Sequence, residues 1–402
     1  MTEPAQAWLN GQPVPAAQAA AAAASLLAAS RSAVVAGMGT DMAGVRASVA
    51  LARAVGASID HMDAGALFAN LDVMRRAGWI VTTPLQTRAR ADTVLLVGDG
   101  LLEAWPDMVG RLALAEGPTV SGGSRRVVHL GPPSSPLTSW PGLSGPPVAA
   151  RAAIGGPDNP PVKPGEGHDG GGESHDDRGT ALQTVAAGTP ILPTLAALRA
   201  IASGRNTSLD DATAAPLRDL AATLAASRFG VIVWSSAALD TLAVEMLCGL
   251  IDDLNRKTRF AGLPLAAANG AEAVAQALTW TTGFPPRTGF ASPAPQHDPW
   301  RFDAGRLVGS GEADAAVWIS AFSPKPPDWD AAVPTIALVP AGTAFRTPPN
   351  VVFEVGCPGR DHDAMLFDPA LGGIAFAAAS APSAAASVAG ILAAITAALP
   401  PC

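Results

Sequence analysis

Between Thr279 and Phe302 the chain reads TWTTGFPPRTGFASPAPQHDPWRF, and this stretch holds the residue types most able to do chemistry. Phe284, Arg287, His297, Asp298, Trp300 and Arg301 fall together in a protein with no tyrosine and only 5% aromatic residues. His297 beside Asp298 could serve as a general acid/base couple. Adjacent side chains rarely point at each other, however, and Pro299 biases the Asp298 backbone away from helix. Rings and arginines on an irregular loop are also the composition of interface hot spots. We read these six residues as interface or structural candidates and assign no catalytic residue.

Other polar positions offer alternatives. GMGTDMAG, Gly37 to Gly44, follows an apolar run and precedes a helical pattern, so Gly37 and Gly39 could direct backbone N–H groups at a phosphate. Met42 stands where a third glycine belongs, and no acidic residue ends the next strand, which leaves a tight strand-to-helix turn as the plainer reading. Asp99 in VGDG ends another strand and could meet a ligand, although Asp-Gly is ordinary turn chemistry. WSSAALD lacks the G-x-S-x-G elbow, so Ser235 or Ser236 is expected to cap the helix that follows. Cys357 and His362 in CPGRDHD could form a thiolate pair, but no third group orients them. A loop that fixes a strand's end or meets a partner is preferred there. Cys248, Cys357 and Cys402 show no C-x-x-C spacing. His168 and His175 sit in GEGHDGGGESHDDRG, which could hold a metal loosely but reads first as solvated linker.

The elements that must position these residues are legible in the apolar pattern. SAVVAGMGT, ADTVLLVGDG, RRVVHLGPP, RFGVIVWSS, GEADAAVWISAF, VPTIALVP and NVVFEVG are strand-like runs bounded by Gly, Pro or Asp. Helical patterns alternate with them in DMAGVRASVALARAVGA, EAWPDMVGRLALAEG and LDTLAVEMLCGLIDDLNRKT, which predicts parallel sheets covered on both faces. A helical hairpin is expected in PILPTLAALRAIASG and DATAAPLRDLAATLAAS. Residues 131–188 break the pattern with Pro, Gly and charge, and are expected to be a disordered surface insertion. The 402-residue chain carries a net charge of -8 and no basic stripe, which argues against nucleic acid. The alanine-rich start contains Glu3 in place of a cationic n-region, and Ile391 to Leu399 is too short to span a bilayer. A cytoplasmic protein with no membrane association is expected.

Three segments, TGFPPR, HDPWRFDA and GEADAAVWISAF, are similar to the B-type subunit of the formyltransferase/hydrolase complex of methylotrophic bacteria. GRDHDAMLFDPA and VAGMGTDMAGVRASVALARAVGASIDHMDAG support the resemblance, which covers most of the chain outside the Pro/Gly insertion. That family is paralogous to the B-type subunit of formylmethanofuran dehydrogenase, in the molybdopterin oxidoreductase superfamily. The resemblance implies two interleaved, doubly wound, mainly parallel α/β domains. Residues 32–90 and 227–402 would form one discontinuous domain behind an N-terminal segment 1–31, and residues 91–226 an inserted one.

The departures from the family pattern bear on function. Catalytic dehydrogenase members carry an N-terminal cysteine cluster and a cysteine or selenocysteine on molybdenum or tungsten, whereas here the first cysteine is Cys248. The matching segment, IDHMDAGALF, offers only the thioether of Met62 as a sulfur donor. The resemblance therefore implies a non-catalytic structural subunit that binds no cofactor itself. Gly37, Gly39, Asp99 and Asn269, the last in AANG from Ala267 to Gly270, would be vestiges of a pterin crevice. Hydrolase, formyltransferase and a further structural subunit would be its partners. Zinc and a methanofuran-type carrier would sit on those partners, which convert formyl-tetrahydromethanopterin to formate. Two alternatives are a redox subunit that binds a molybdenum or tungsten pterin and a stand-alone nucleotide-binding protein.

Overall fold

The computed structural model describes residues 7–132, 182–188, 190–265, 268–329 and 333–401. The first four strands are β1 (Ala7–Leu9), β2 (Gln12–Val14), β3 (Ala33–Gly39) and β4 (Ser58–Ile59). Then come β5 (Thr93–Val97), β6 (Arg126–Gly131), β7 (Leu182–Ala186), β8 (Gly230–Ser235) and β9 (Phe260–Leu265). β10 (Thr288–Gly289), β11 (Gln296–His297), β12 (Ala315–Ser320), β13 (Thr335–Val339) and β14 (Val351–Glu354) follow, and β15 (Ala364–Asp368) and β16 (Gly373–Ala377) form a hairpin. One sheet has the order β11-β10-β4-β3-β12-β13-β14-β1-β2, the other β7-β6-β5-β8-β9.

The molecule is α/β. The second sheet is parallel throughout. The first is parallel from β4 to β14 and antiparallel at its two ends. Side chains alternate across a strand, so a strand buried on both faces is apolar at every position. In β5, Leu95 and Val97 pack with Leu198, Leu220 and Leu247, whereas Val94 and Leu96 face Trp105, Met108 and Leu112. In β3, Val35 joins one core while Val34 and Ala36 enter two clusters opposite. Among the described residues no helix is long and apolar enough to cross a membrane.

Aspartates start three of the long helices, each accepting an N–H from the first turn. Asp41 caps Met42–Val55 through Gly44, and Asp210 caps Asp211–Ala225 through Thr213. Asp240 caps Thr241–Asn255 through Ala243. That corrects the expectation of a serine cap. Ser235 ends β8 and Ser236 accepts from Asn70, so neither reaches the helix start.

Tertiary pairing moves several expected boundaries. β8 and β9 hydrogen-bond alongside β5, so residues 230–265 belong with the inserted sheet and not, as expected, with the flanking pieces. Within the N-terminal segment, residues 7–29 join the first sheet and its core. β1 pairs with β14, and Ala16–Ala29 buries Ala19, Ala23 and Leu27 in the first core. Residues 182–186 lie inside the expected structureless insertion but form β7, paired in parallel with β6. The remainder of that insertion, 133–181 with His168 and His175, lies outside the described residues, as do residues 1–6, Ala267 and Cys402. The helix expected in EAWPDMVGRLALAEG is broken into Leu101–Ala104 and Met108–Arg111, with Pro106 between them.

Strand order reverses between β3 and β12 in the first sheet and between β5 and β8 in the second. In open α/β sheets the carboxyl ends flanking such a reversal frame the binding crevice. Both reversals therefore locate where chemistry should be sought.

Candidate functional site

Gly37 and Gly39 lie within β3, at its end, and Thr40 and Asp41 make the tight turn to the helix that starts at Met42. Gly37 has φ +79°, and a Cβ there would overlap the Ile319 carbonyl oxygen. The register of β3 against β12 shifts at this point. These glycines let two strands approach closely at a bulge. Asp99 is exposed between Gly98 and Gly100, both at positive φ. A Cβ on Gly98 would meet Leu239 at 3.3 Å and one on Gly100 would meet Ala238 at 3.3 Å.

The polar node at the first reversal is built by the residues after β4. His61 Nδ1 accepts the Asp63 N–H at 2.9 Å, so Nε2 carries the proton and donates to the Asn269 carbonyl at 3.1 Å. Burial holds this imidazole below its usual range. Asn269, at φ +55°, donates to Asp63 at 2.9 Å and accepts from Ser323 at 3.1 Å. Lys325 Nζ lies 3.7 Å from Asp63. Both nitrogens of His61 are thus occupied by backbone, and its lone pair is not available to a metal or a nucleophile.

Asp60 connects this node to the loop that dominates the sequence. Its carboxylate accepts the N–H of His61 at 2.8 Å and of Ala304 at 3.0 Å. Arg287 donates to the Pro299 carbonyl at 2.7 Å, pairs with Asp303 at 2.5 Å, and lies 5.0 Å from the Phe68 ring centroid. Its Nε approaches Asp60 to 3.5 Å, an ion-pair contact too long for a hydrogen bond, and Nε has no hydrogen-bond partner. The Arg287 backbone, at φ +64°, donates to the Ile59 carbonyl at 2.8 Å. One arginine therefore closes the loop onto the first sheet by main chain and side chain together.

His297 stacks between Phe68 and Phe284, with both centroid distances 5.9 Å, and donates from Nδ1 to the Arg287 carbonyl at 2.9 Å. Burial lowers its pKa, favouring the neutral ring. Asp298 turns the other way, accepting the N–H groups of Trp300 and Arg301 at 2.9 and 2.8 Å. Trp300 is 71% exposed, with the Arg306 guanidinium 4.3 Å from its ring centroid, and Arg301 lies over Phe302. The loop thus brings Phe284, Arg287 and His297 together inward and leaves Asp298, Trp300 and Arg301 at the surface.

The remaining nucleophile candidates do not assemble. Cys357 Sγ donates to the Pro358 carbonyl at 3.8 Å, not to His362, and burial pushes its thiol up. His362 Nδ1 bonds the Asp363 carbonyl. Cys248 is buried in the second core and its thiol is pushed up to about 11. No group of three or more potential metal-ligating side chains occurs among the described residues. A cleft of about 460 Å³ lies between Met62–Ala69 and Ser236–Thr241, at the carboxyl ends of both sheets.

Residues decisive for this site that the sequence reading passed over are Asp60, His61, Phe68, Asp303, Ser323 and Lys325. The signal for the first two was IDHMD at a strand's end. Asp60 also yields a test. Burial pushes its carboxyl up to about 7, against the opposing influence of Arg287. A carboxyl raised on folding contributes stability that is full below the unfolded value, near 4, and is lost as pH rises through 7. The slope is at most about 1.4 kcal/mol per pH unit. Asp60→Asn removes this titration, so its stability cost relative to wild type should shrink between pH 5 and 7 in urea unfolding. An equal cost at both values would mean that Asp60 is ionised throughout.

Fold and site together define a class: a two-sheet α/β protein whose conspicuous polar residues hold loops to sheets and to one another. No protein-family model matches the chain. It is 35% identical over 94% of its length to the B-type subunit of the formyltransferase/hydrolase complex Fhc of Methylorubrum extorquens, of which it covers 92%. It also matches a chain of the crystal structure of the formyltransferase/hydrolase complex (FhcABCD) from Methylorubrum extorquens in complex with methylofuran. That match has TM-score 0.76, 33% identity and 97% coverage of both chains. The chain belongs to the family of B-type subunits of the formyltransferase/hydrolase complex.

Proposed function

We propose that this chain is a structural subunit of a formyltransferase/hydrolase complex, acting in one-carbon oxidation beside hydrolase, formyltransferase and a further structural subunit. The observation that carries this reading is the full-length likeness to the B-type subunit, in sequence and in fold. The complex would convert formyl-tetrahydromethanopterin to formate in the cytoplasm. Zinc and the methanofuran-type carrier would be held by the partner subunits.

The scaffold is that of a molybdopterin oxidoreductase, with the two sheets as two interleaved domains. The residues at the old ligand segment do not fit a metal–pterin centre. Catalytic members of the resembled superfamily place a cysteine or selenocysteine there, and Ile59–Phe68 has none. Its donors are His61, bonded through both nitrogens, the thioether of Met62, and the carboxylates of Asp60 and Asp63, which are engaged by backbone N–H groups and by Asn269 and Lys325. A pterin-binding redox subunit and a stand-alone nucleotide-binding protein are both disfavoured by this donor set and by the packing around Gly37 and Gly98. Interface and structural roles go to Phe284, Arg287, His297, Asp298, Trp300 and Arg301.

Co-purification from the native host tests the proposal: the chain should elute with the other subunits, and elution alone as a soluble protein would overturn it. Within the complex, His297→Ala should lower formate release less than tenfold, under about 1.4 kcal/mol of barrier. Trp300→Ala should leave the isolated chain folded but reduce the assembled fraction on size exclusion, because an exposed tryptophan braced by Arg306 suits a partner contact. A large rate loss in an intact His297→Ala complex would transfer His297 to the chemistry.

A further inference from the structure

A second surface, away from the Arg287 loop, carries a specific recognition chemistry. A cavity of about 330 Å³ opens at the carboxyl ends of β13 and β14. Trp8 of β1 is paired with Val352 of β14, and Val339 of β13 with Glu354. Strand alternation puts Trp8, Val352, Glu354 and Val339 on one face. Phe345 and Pro349 complete the walls.

Glu354 is the anomaly in this apolar setting. It lies at the end of β14 and is partly buried. Among the described residues no side chain or backbone N–H pairs with its carboxylate, and burial alone acts on it, pushing its pKa up. Its carboxylate lines the groove with no counter-charge of its own among the described residues. Rings and prolines around an unpaired anion fit a cation on an apolar stem. The stem lies along the hydrophobic walls, the aromatic faces attract the positive head, and the carboxylate receives its N–H groups.

We propose that this groove is a docking site for a lysine or arginine side chain of another subunit of the complex, with Glu354 as its counter-ion. The inference rests on the complex membership proposed above, and charge complementarity selects the occupant.

The test uses the full chain co-expressed with the other subunits of its complex, with affinity and co-elution as readouts. Glu354→Gln should weaken assembly about tenfold or more, and Glu354→Lys should abolish it by placing like charges together. Trp8→Ala should act in the same direction. The isolated Glu354→Gln chain should unfold at the wild-type temperature or above it, which separates loss of docking from loss of fold. If both Glu354 variants assemble as wild type does, the proposal is overturned. It is also overturned if assembly is unaffected while free n-butylamine stabilises the wild-type chain and not Glu354→Gln, since the groove would then serve a small amine. Failure of the wild-type chain to assemble would remove the complex reading itself, and this inference with it.

Discussion

Arg287→Ala is expected to lower the unfolding free energy by about 3–5 kcal/mol, the range for removing one partner from a buried charged network. Arg287 is the cation between Asp60 and Asp303, and both it and Asp60 are largely buried, with side chains 17% and 7% exposed. Its removal leaves Asp60 with two backbone donors and no counter-charge, strips the cation from Phe68, and frees the Pro299 carbonyl. Alanine would also inherit the positive φ that Arg287 adopts. Arg287→Lys should recover part of the loss, because it restores charge but cannot pair, stack and donate from one planar fork. Urea unfolding of the three proteins provides the comparison. If alanine costs less than about 1 kcal/mol, the scale of an ordinary substitution, the network does not hold the loop.

Gly37→Ala is expected to cost about 3 kcal/mol, combining a left-handed backbone penalty of about 1–2 kcal/mol with overpacking of about 1–3 kcal/mol. The added methyl would meet the Ile319 carbonyl, which is sheet backbone and cannot move away as a flexible side chain would. Gly65→Ala is the matched control. No atom lies within 4 Å of its added Cβ, and a glycine-to-alanine change inside a helix is worth up to about 1 kcal/mol in favour of folding. Thermal unfolding should therefore move in opposite directions for the two variants. A Gly37→Ala protein as stable as wild type would remove the close-approach account of this bulge.

These two residues also show where sequence reading succeeds and where it fails. The strand at Gly37 is plain from its apolar run. The role of the glycine is not, because a phosphate turn and a close strand crossing both ask for a residue without Cβ. Arg287 stands out through its company of rings and charges. Its partners Asp60 and Asp303 do not, since Asp60 lies 227 positions earlier in the chain. The strands β10 and β11, two residues each, have no periodicity to read and exist through pairing with β4 and with one another.

By itself the sequence determined the α/β class, the strands β3, β5, β6, β8, β12, β13 and β14, and the family resemblance; β7 and β9 it did not show. Apolar runs punctuated by Gly, Pro and Asp constrain the local backbone directly, and the absence of any cysteine before Cys248 is a fact of composition. Only the tertiary structure decided that β8 and β9 complete the inserted sheet, that Ala7–Val14 closes an edge of the other, and that His297 and Asp298 face apart. A strand's sequence specifies burial on its faces but not which neighbour supplies its hydrogen bonds. A side chain's direction depends on the turn that carries it. For that reason the loop from Thr279 to Phe302 announced itself as important, and its use as a clasp between sheet and surface became visible only when Asp60, Phe68 and Asp303 were brought to it.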